Sequence, residues 1–183
     1  MVNYISDRVS YSEKDGELTI VISGSVEKWQ ESLLTVWLVA WTFCGVYVLT
    51  QLFGDYTKDE RLTMFIYEVF WVYFEWKLVH AFLWRKWGIE IVRIGKESIR
   101  IKKDIKKYGK LKTYFLENIE NLQRIETPSR SFTKVMGNSF WNMTEKAISF
   151  DYFGKLIAFG IQLNDKDSRK IVKLIAAHLR KTA

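Results

Sequence analysis

Two carboxylates seven residues apart, Glu68 and Glu75, stand inside the apolar stretch Leu62 to Trp84 of this 183-residue chain. On a helix that spacing is two turns, so both fall on one face, with Trp71 and Leu78 between or beside them. An ionisable group inside such a stretch is costly to desolvate and marks a functional position by default. The chemistry open to the pair is contact with a basic or hydroxyl group on a partner span, a proton path, or ligation of a metal or pigment. The plainer alternative is that Glu68 reaches interfacial water and Glu75 pairs locally with Lys77 or His80. Glu75 and Lys77 lie about 200° apart on a helix, a poor geometry for pairing. Lys77 is about 10 Å inside Trp84 by helix rise, within reach of a snorkelling side chain. His80 is a lone imidazole; interfacial hydrogen bonding is its plainer role, and pigment or haem contact the sharper one. The expected partner-docking set in the membrane is Glu68, Trp71, Glu75, Lys77 and His80.

A second constellation is RIKKDIKKYGKLK, residues 100–112, which holds Arg100, Lys102, Lys103, Lys106, Lys107, Lys110 and Lys112 against one acid, Asp104. Strand alternation puts Arg100, Lys102 and Lys106 on one side and Ile99, Ile101 and Ile105 on the other. Such a run suits nucleic acid, anionic headgroups or an acidic partner. No nucleic-acid motif accompanies it, so no nucleic-acid partner is expected. Anionic lipid fits better, because each basic side chain near a leaflet contributes about 1 kcal/mol. A solvated strand face is the plainer alternative. The chain has no Cys/His metal spacing, Gly-rich phosphate loop or nucleophile elbow, and its two histidines, His80 and His178, cannot anchor a triad. A non-enzyme without metal or cofactor is the expectation.

Membrane helices are the elements expected to position the first constellation. Ser32 to Phe53 is an uncharged run that spans roughly 33 Å as a helix, enough for a hydrocarbon core of about 30 Å. The stretch 62–84 follows after GDYTKDER. Trp29, Trp84 and Trp87 bracket the block, as suits the headgroup region. No secretory signal peptide is read, since the apolar run begins late and lacks a small-residue cleavage pattern. Residues 1–84 carry 6 Lys/Arg and 11 Asp/Glu, whereas residues 85–183 carry 22 and 10. That asymmetry predicts a multi-pass membrane protein with both termini cytoplasmic.

Strands surround this block. Asp15-Gly16 between alternating runs at 8–23 signals a hairpin within residues 1–30, with Leu18, Ile20 and Ile22 on its apolar face. After Trp87, GIEIVRIG, ESIRIKKDI, KLKTYFL, ENLQRIE, KAISFDYFG and KLIAFGIQL have the cadence of an antiparallel sheet or small barrel. Residues 127–145 read as a long loop with an aromatic tip at Phe140-Trp141. A helix over 164–181 follows, capped by Asn164 or Asp165, with Ile171, Leu174, Ile175 and Leu179 on one face.

Two closely spaced spans, LWRKWGIEIVRI at the membrane exit, then IRIKK, KTYFLENIENL, FDYFGK and a final helix resemble a bacterial family with a pleckstrin-homology-like domain. The Gly88-Ile89-Glu90 step and the Ile119 to Leu122 turn carry that resemblance, and the layout is similar to that of plastid photosystem I assembly factors. The resemblance implies an α+β membrane protein: a two-helix transmembrane hairpin with a small antiparallel β sandwich or barrel over 87–183, closed by a C-terminal helix. The expected function is a non-catalytic membrane subunit or assembly factor that docks on other membrane subunits through its helix hairpin. The alternative is an anionic-lipid-sensing module that uses residues 100–112.

Overall fold

Alternating apolar runs and tight turns shape most of the chain. A computed structural model describes residues 2–125, 146–161 and 163–182. Strands β1 (Val2–Ser6), β2 (Val9–Lys14) and β3 (Glu17–Ser23) precede helices α1 (Lys28–Gln51) and α2 (Lys58–Trp87). Then come β4 (Gly88–Ile94), β5 (Ser98–Ile105), β6 (Leu111–Phe115), a 3-10 turn at Leu116–Asn118, and β7 (Ile119–Arg124). Strands β8 (Lys146–Tyr152) and β9 (Lys155–Ile161) and helix α3 (Asp165–Thr182) complete the described chain. Two compact units result: Met1–Ser25 with Trp87–Ala183, and Val26–Lys86.

The first unit holds two antiparallel sheets, ordered β1-β2-β3-β4-β5-β6 and β7-β8-β9. Asp15 and Gly16 turn the chain between β2 and β3 with φ of 53° and 74°, the left-handed pair that a two-residue hairpin needs. Strand β3 then pairs with β4, Ile20 opposite Val92, so the N-terminal strands continue the sheet that follows the helices. Leu18, Ile20, Ile22, Val92, Ile94 and Ile99 of the larger sheet meet Ile148, Phe150 and Phe159 of the smaller one, with Ile171 and Ile175 of α3, in one core. Tyr114 joins the sheets, its ring set edge-on at 5.3 Å from Phe150 and 5.1 Å from Tyr152. Asn164 caps α3, its Oδ1 accepting the Asp167 N–H at 2.6 Å. His178, on the same helix, is buried, with Nδ1 at 3.2 Å from Glu13 Oε1.

In the second unit, α2 begins four residues before the expected Leu62. Thr57 and Glu60 form a reciprocal capping box: Glu60 Oε2 accepts the Thr57 N–H at 2.9 Å, and Thr57 Oγ1 accepts the Glu60 N–H at 3.4 Å. The Thr57 N–H and the Thr57 hydroxyl, both donating to Glu60 Oε2, hold the Glu60 carboxyl below its ordinary range.

Two expectations are corrected here. The fold is a mixed α+β arrangement of three helices and two open antiparallel sheets among the described residues, not a transmembrane helix hairpin bearing a closed sandwich or barrel. Of the described helices, α1 alone is long and apolar enough to cross a membrane, with a mean hydropathy of 1.9. Helix α2 does not qualify because Glu68, Glu75 and Lys77 recur through its middle. Three charges there cost about 8–10 kcal/mol on an insertion scale, against about 3–7 kcal/mol gained from its Leu, Ile, Val and Phe. The multi-pass placement with both termini cytoplasmic fails with it, since it requires two crossing helices. The expected loop at 127–145, with its Phe140-Trp141 tip, lies outside the described residues.

Candidate functional site

The helix unit is held by one narrow seam. Trp71 Nε1 donates to the Trp41 carbonyl at 3.0 Å, and its indole lies against Gly45, where a Cβ would come within 1.8 Å of Trp71 Cε2. Thr42 Oγ1 donates to Glu75 Oε1 at 2.8 Å, so the hydroxyl partner of Glu75 comes from α1 of the same chain. Glu68, two turns away on the same face, is 6% exposed. Glu68 Oε1 and Glu75 Oε2 are buried without a hydrogen-bond partner among the described residues. Lys86 and Glu31 approach to 3.9 Å. Of the five residues expected to act together, Glu68, Trp71 and Glu75 share this seam. Lys77 and His80 are exposed, and Lys77 Nζ sits 5.6 Å from the Tyr73 ring centre.

Away from the seam, both helices expose large apolar side chains. Phe65, Val69, Val72 and Trp76 follow the i, i+4, i+7, i+11 spacing of one helical stripe on α2, and each is more than half exposed, Trp76 at 72%. Val36, Phe43 and Tyr47 of α1 are similarly exposed. Contiguous exposed apolar patches mark interaction surfaces. The i, i+4, i+7, i+11 spacing of this stripe is its signal in the sequence.

Strand register divides the basic run of 100–112 into groups with different roles. Arg100 binds Glu17 at 2.7 Å, and Lys102 binds Asp104 at 2.8 Å. Lys106 and Lys107 occupy the turn after β5 with φ of 49° and 75°, and Lys106 Nζ lies 3.6 Å from the Trp87 ring centre. Lys103, Lys110 and Lys112 instead line a cavity of about 390 Å³. The run is therefore not a continuous basic face.

The cavity arises where the inner rows of the larger sheet change from apolar to charged. Ile99 stands between Ile94 and Tyr114, and Ile101 between Val92 and Lys112; in the next row Glu90 faces Lys103. Glu90 is fully buried, and its Oε2 accepts N–H groups from Gly160 at 2.8 Å and Ile161 at 3.1 Å, tying β4 to β9. Leu156, Ile157 and Ala158 of β9 also line the cavity. Gly109 directs the chain into β6, because a Cβ there would lie 1.8 Å from the Lys103 carbonyl oxygen. Burial, with the neighbouring Tyr152 phenol, pushes the Tyr114 phenol above its ordinary range. Among the described residues, no three His, Cys, Asp or Glu side chains group closely enough to hold a metal ion.

No protein-family model, no curated protein and no solved structure matches this chain.

Proposed function

We propose that this protein is a non-catalytic accessory subunit or assembly factor, associated with a membrane through α1, that docks on other membrane proteins through the apolar surface of α1 and α2. One observation carries the reading: the helices bury a single seam against each other and leave the Phe65–Val69–Val72–Trp76 stripe bare. Seam groups are already engaged in part, Thr42 with Glu75 and Trp71 with the Trp41 carbonyl, so docking falls to the stripe and not to the carboxylates. An assembly role is also what the pleckstrin-homology-like resemblance implies. The lipid-sensing alternative for 100–112 has less support, since Arg100 and Lys102 are engaged by carboxylates of the chain itself.

The test is purification of the tagged full chain in mild detergent, as wild type and as the Phe65→Asn/Trp76→Asn double variant. The wild type is expected to co-elute with other membrane proteins in fixed stoichiometry, and the variant, with its helical content intact, to lose them. Equal recovery of the same partners by both proteins would sink the proposal.

A further inference from the structure

The cavity belongs to the strand unit, and what it could bind goes beyond that reading. We propose that it binds a small anion carried on an alkyl chain, a phosphomonoester or carboxylate, with Lys110 and Lys112 holding the anion and Ile101, Leu156 and Ile157 the chain.

The cavity measures about 390 Å³. That is near the lower end of the roughly 300–1,000 Å³ typical of small-molecule sites, so it suits a small ligand and not a folded partner. Its lining carries two chemistries: Lys103, Lys110 and Lys112, and the apolar Ile101, Leu156, Ile157 and Ala158. Three cations stand against the single carboxylate of Glu90, whose Oε2 is taken by two backbone N–H groups. The net field therefore favours an anion. Lys110 and Lys112 form no ion pair among the described residues, unlike Arg100 and Lys102 on the opposite face. The frame is rigid: Lys112 is registered against Ile101, and Glu90 ties β4 to β9. A lysine such as Lys112 on the edge strand β6 also discourages strand-to-strand aggregation. That role alone makes no use of the apolar lining, and the two roles separate by experiment.

The full chain in non-ionic detergent is titrated calorimetrically with hexyl phosphate, inorganic phosphate and hexanol. Hexyl phosphate is expected to bind saturably at one site, at least tenfold more tightly than inorganic phosphate, and hexanol not at all. Lys110→Ala and Lys112→Ala, both at exposed positions, should each weaken binding about tenfold, or 1.4 kcal/mol. Ile157→Trp, which fills the cavity, should abolish it. Should that variant not fold, Leu156→Asn, at a 61% exposed position, takes its place and should remove the preference for hexyl over inorganic phosphate. A second arm uses the chain in phosphatidylcholine nanodiscs with and without phosphatidic acid. Loss of hexyl phosphate binding on adding phosphatidic acid identifies a lipid headgroup as the source, and unchanged binding a soluble ligand. Absence of saturable binding, equal affinity for inorganic phosphate, or indifference to both lysine variants would overturn the proposal.

Discussion

Replacing Gly45 of α1 by alanine sets two effects against each other. In an ordinary helix interior the change stabilises by about 1 kcal/mol, because glycine loses more backbone freedom on folding. Here the new Cβ would stand 1.8 Å from Trp71 Cε2 and 2.3 Å from Nε1, far inside contact distance of a rigid ring. The indole must shift, and with it goes the 3.0 Å bond to the Trp41 carbonyl. Overpacking of this kind costs about 1–3 kcal/mol. An indole N–H left without its acceptor costs about 1–3 kcal/mol more. The clash outweighs the helix gain, leaving a net loss of about 1–5 kcal/mol. Denaturant titration in non-ionic detergent, followed by near-UV circular dichroism of the tryptophans, measures it. Adding Trp71→Leu should recover part of the loss, because the two changes touch the same contact. Equal or greater stability of the Gly45→Ala protein would refute the seam.

Two further outcomes follow from the strand unit. Glu90→Ala removes the acceptor of the Gly160 and Ile161 N–H groups and should destabilise by about 2–6 kcal/mol, with faster hydrogen exchange at both amides; Glu90→Gln keeps an acceptor and should cost less. Tyr114 has its pKa raised by burial, so the phenol favours the folded state below its ordinary value of about 10, and that contribution is lost as pH rises through the raised value. Absorbance titration should show late tyrosine ionisation, and Tyr114→Phe should reduce its amplitude by one tyrosine.

Local signals in the sequence carried much of the strand unit. Asp15-Gly16 marks a turn by chemistry alone, and Leu18, Ile20 and Ile22 alternate as a half-buried strand must. The short runs after Trp87 correspond to β4 through β9, and the periodicity at 164–181 to α3. The capping box Thr57-Lys58-Asp59-Glu60 was equally readable and would have moved the start of α2 to Lys58. Local signals fail where long-range packing decides. Aromatic richness made 62–84 look like a second span, while its three charges outweigh that apolarity. In the basic run, alternation sets Arg100, Lys102 and Lys106 against Ile99, Ile101 and Ile105 and leaves the other lysines unplaced. Lys103 shares parity with Ile99 and Ile101, and only strand pairing and the close approach at Gly109 show that Lys110 and Lys112 join it around a cavity. Nothing local indicates that Gly45 lies beneath Trp71, because the contact joins residues from two helices.

The central claim is that the outer stripe of α2 docks on another membrane protein. Its most direct test places a photo-crosslinking amino acid at Trp76 in one sample and at Leu34, fully buried in the helix unit, in another. Illumination in intact membranes should join the Trp76 probe to a distinct membrane protein in a discrete band, while the Leu34 probe gives no intermolecular product. Crosslinks from position 76 to lipid alone, or an identical product from both positions, would contradict the account.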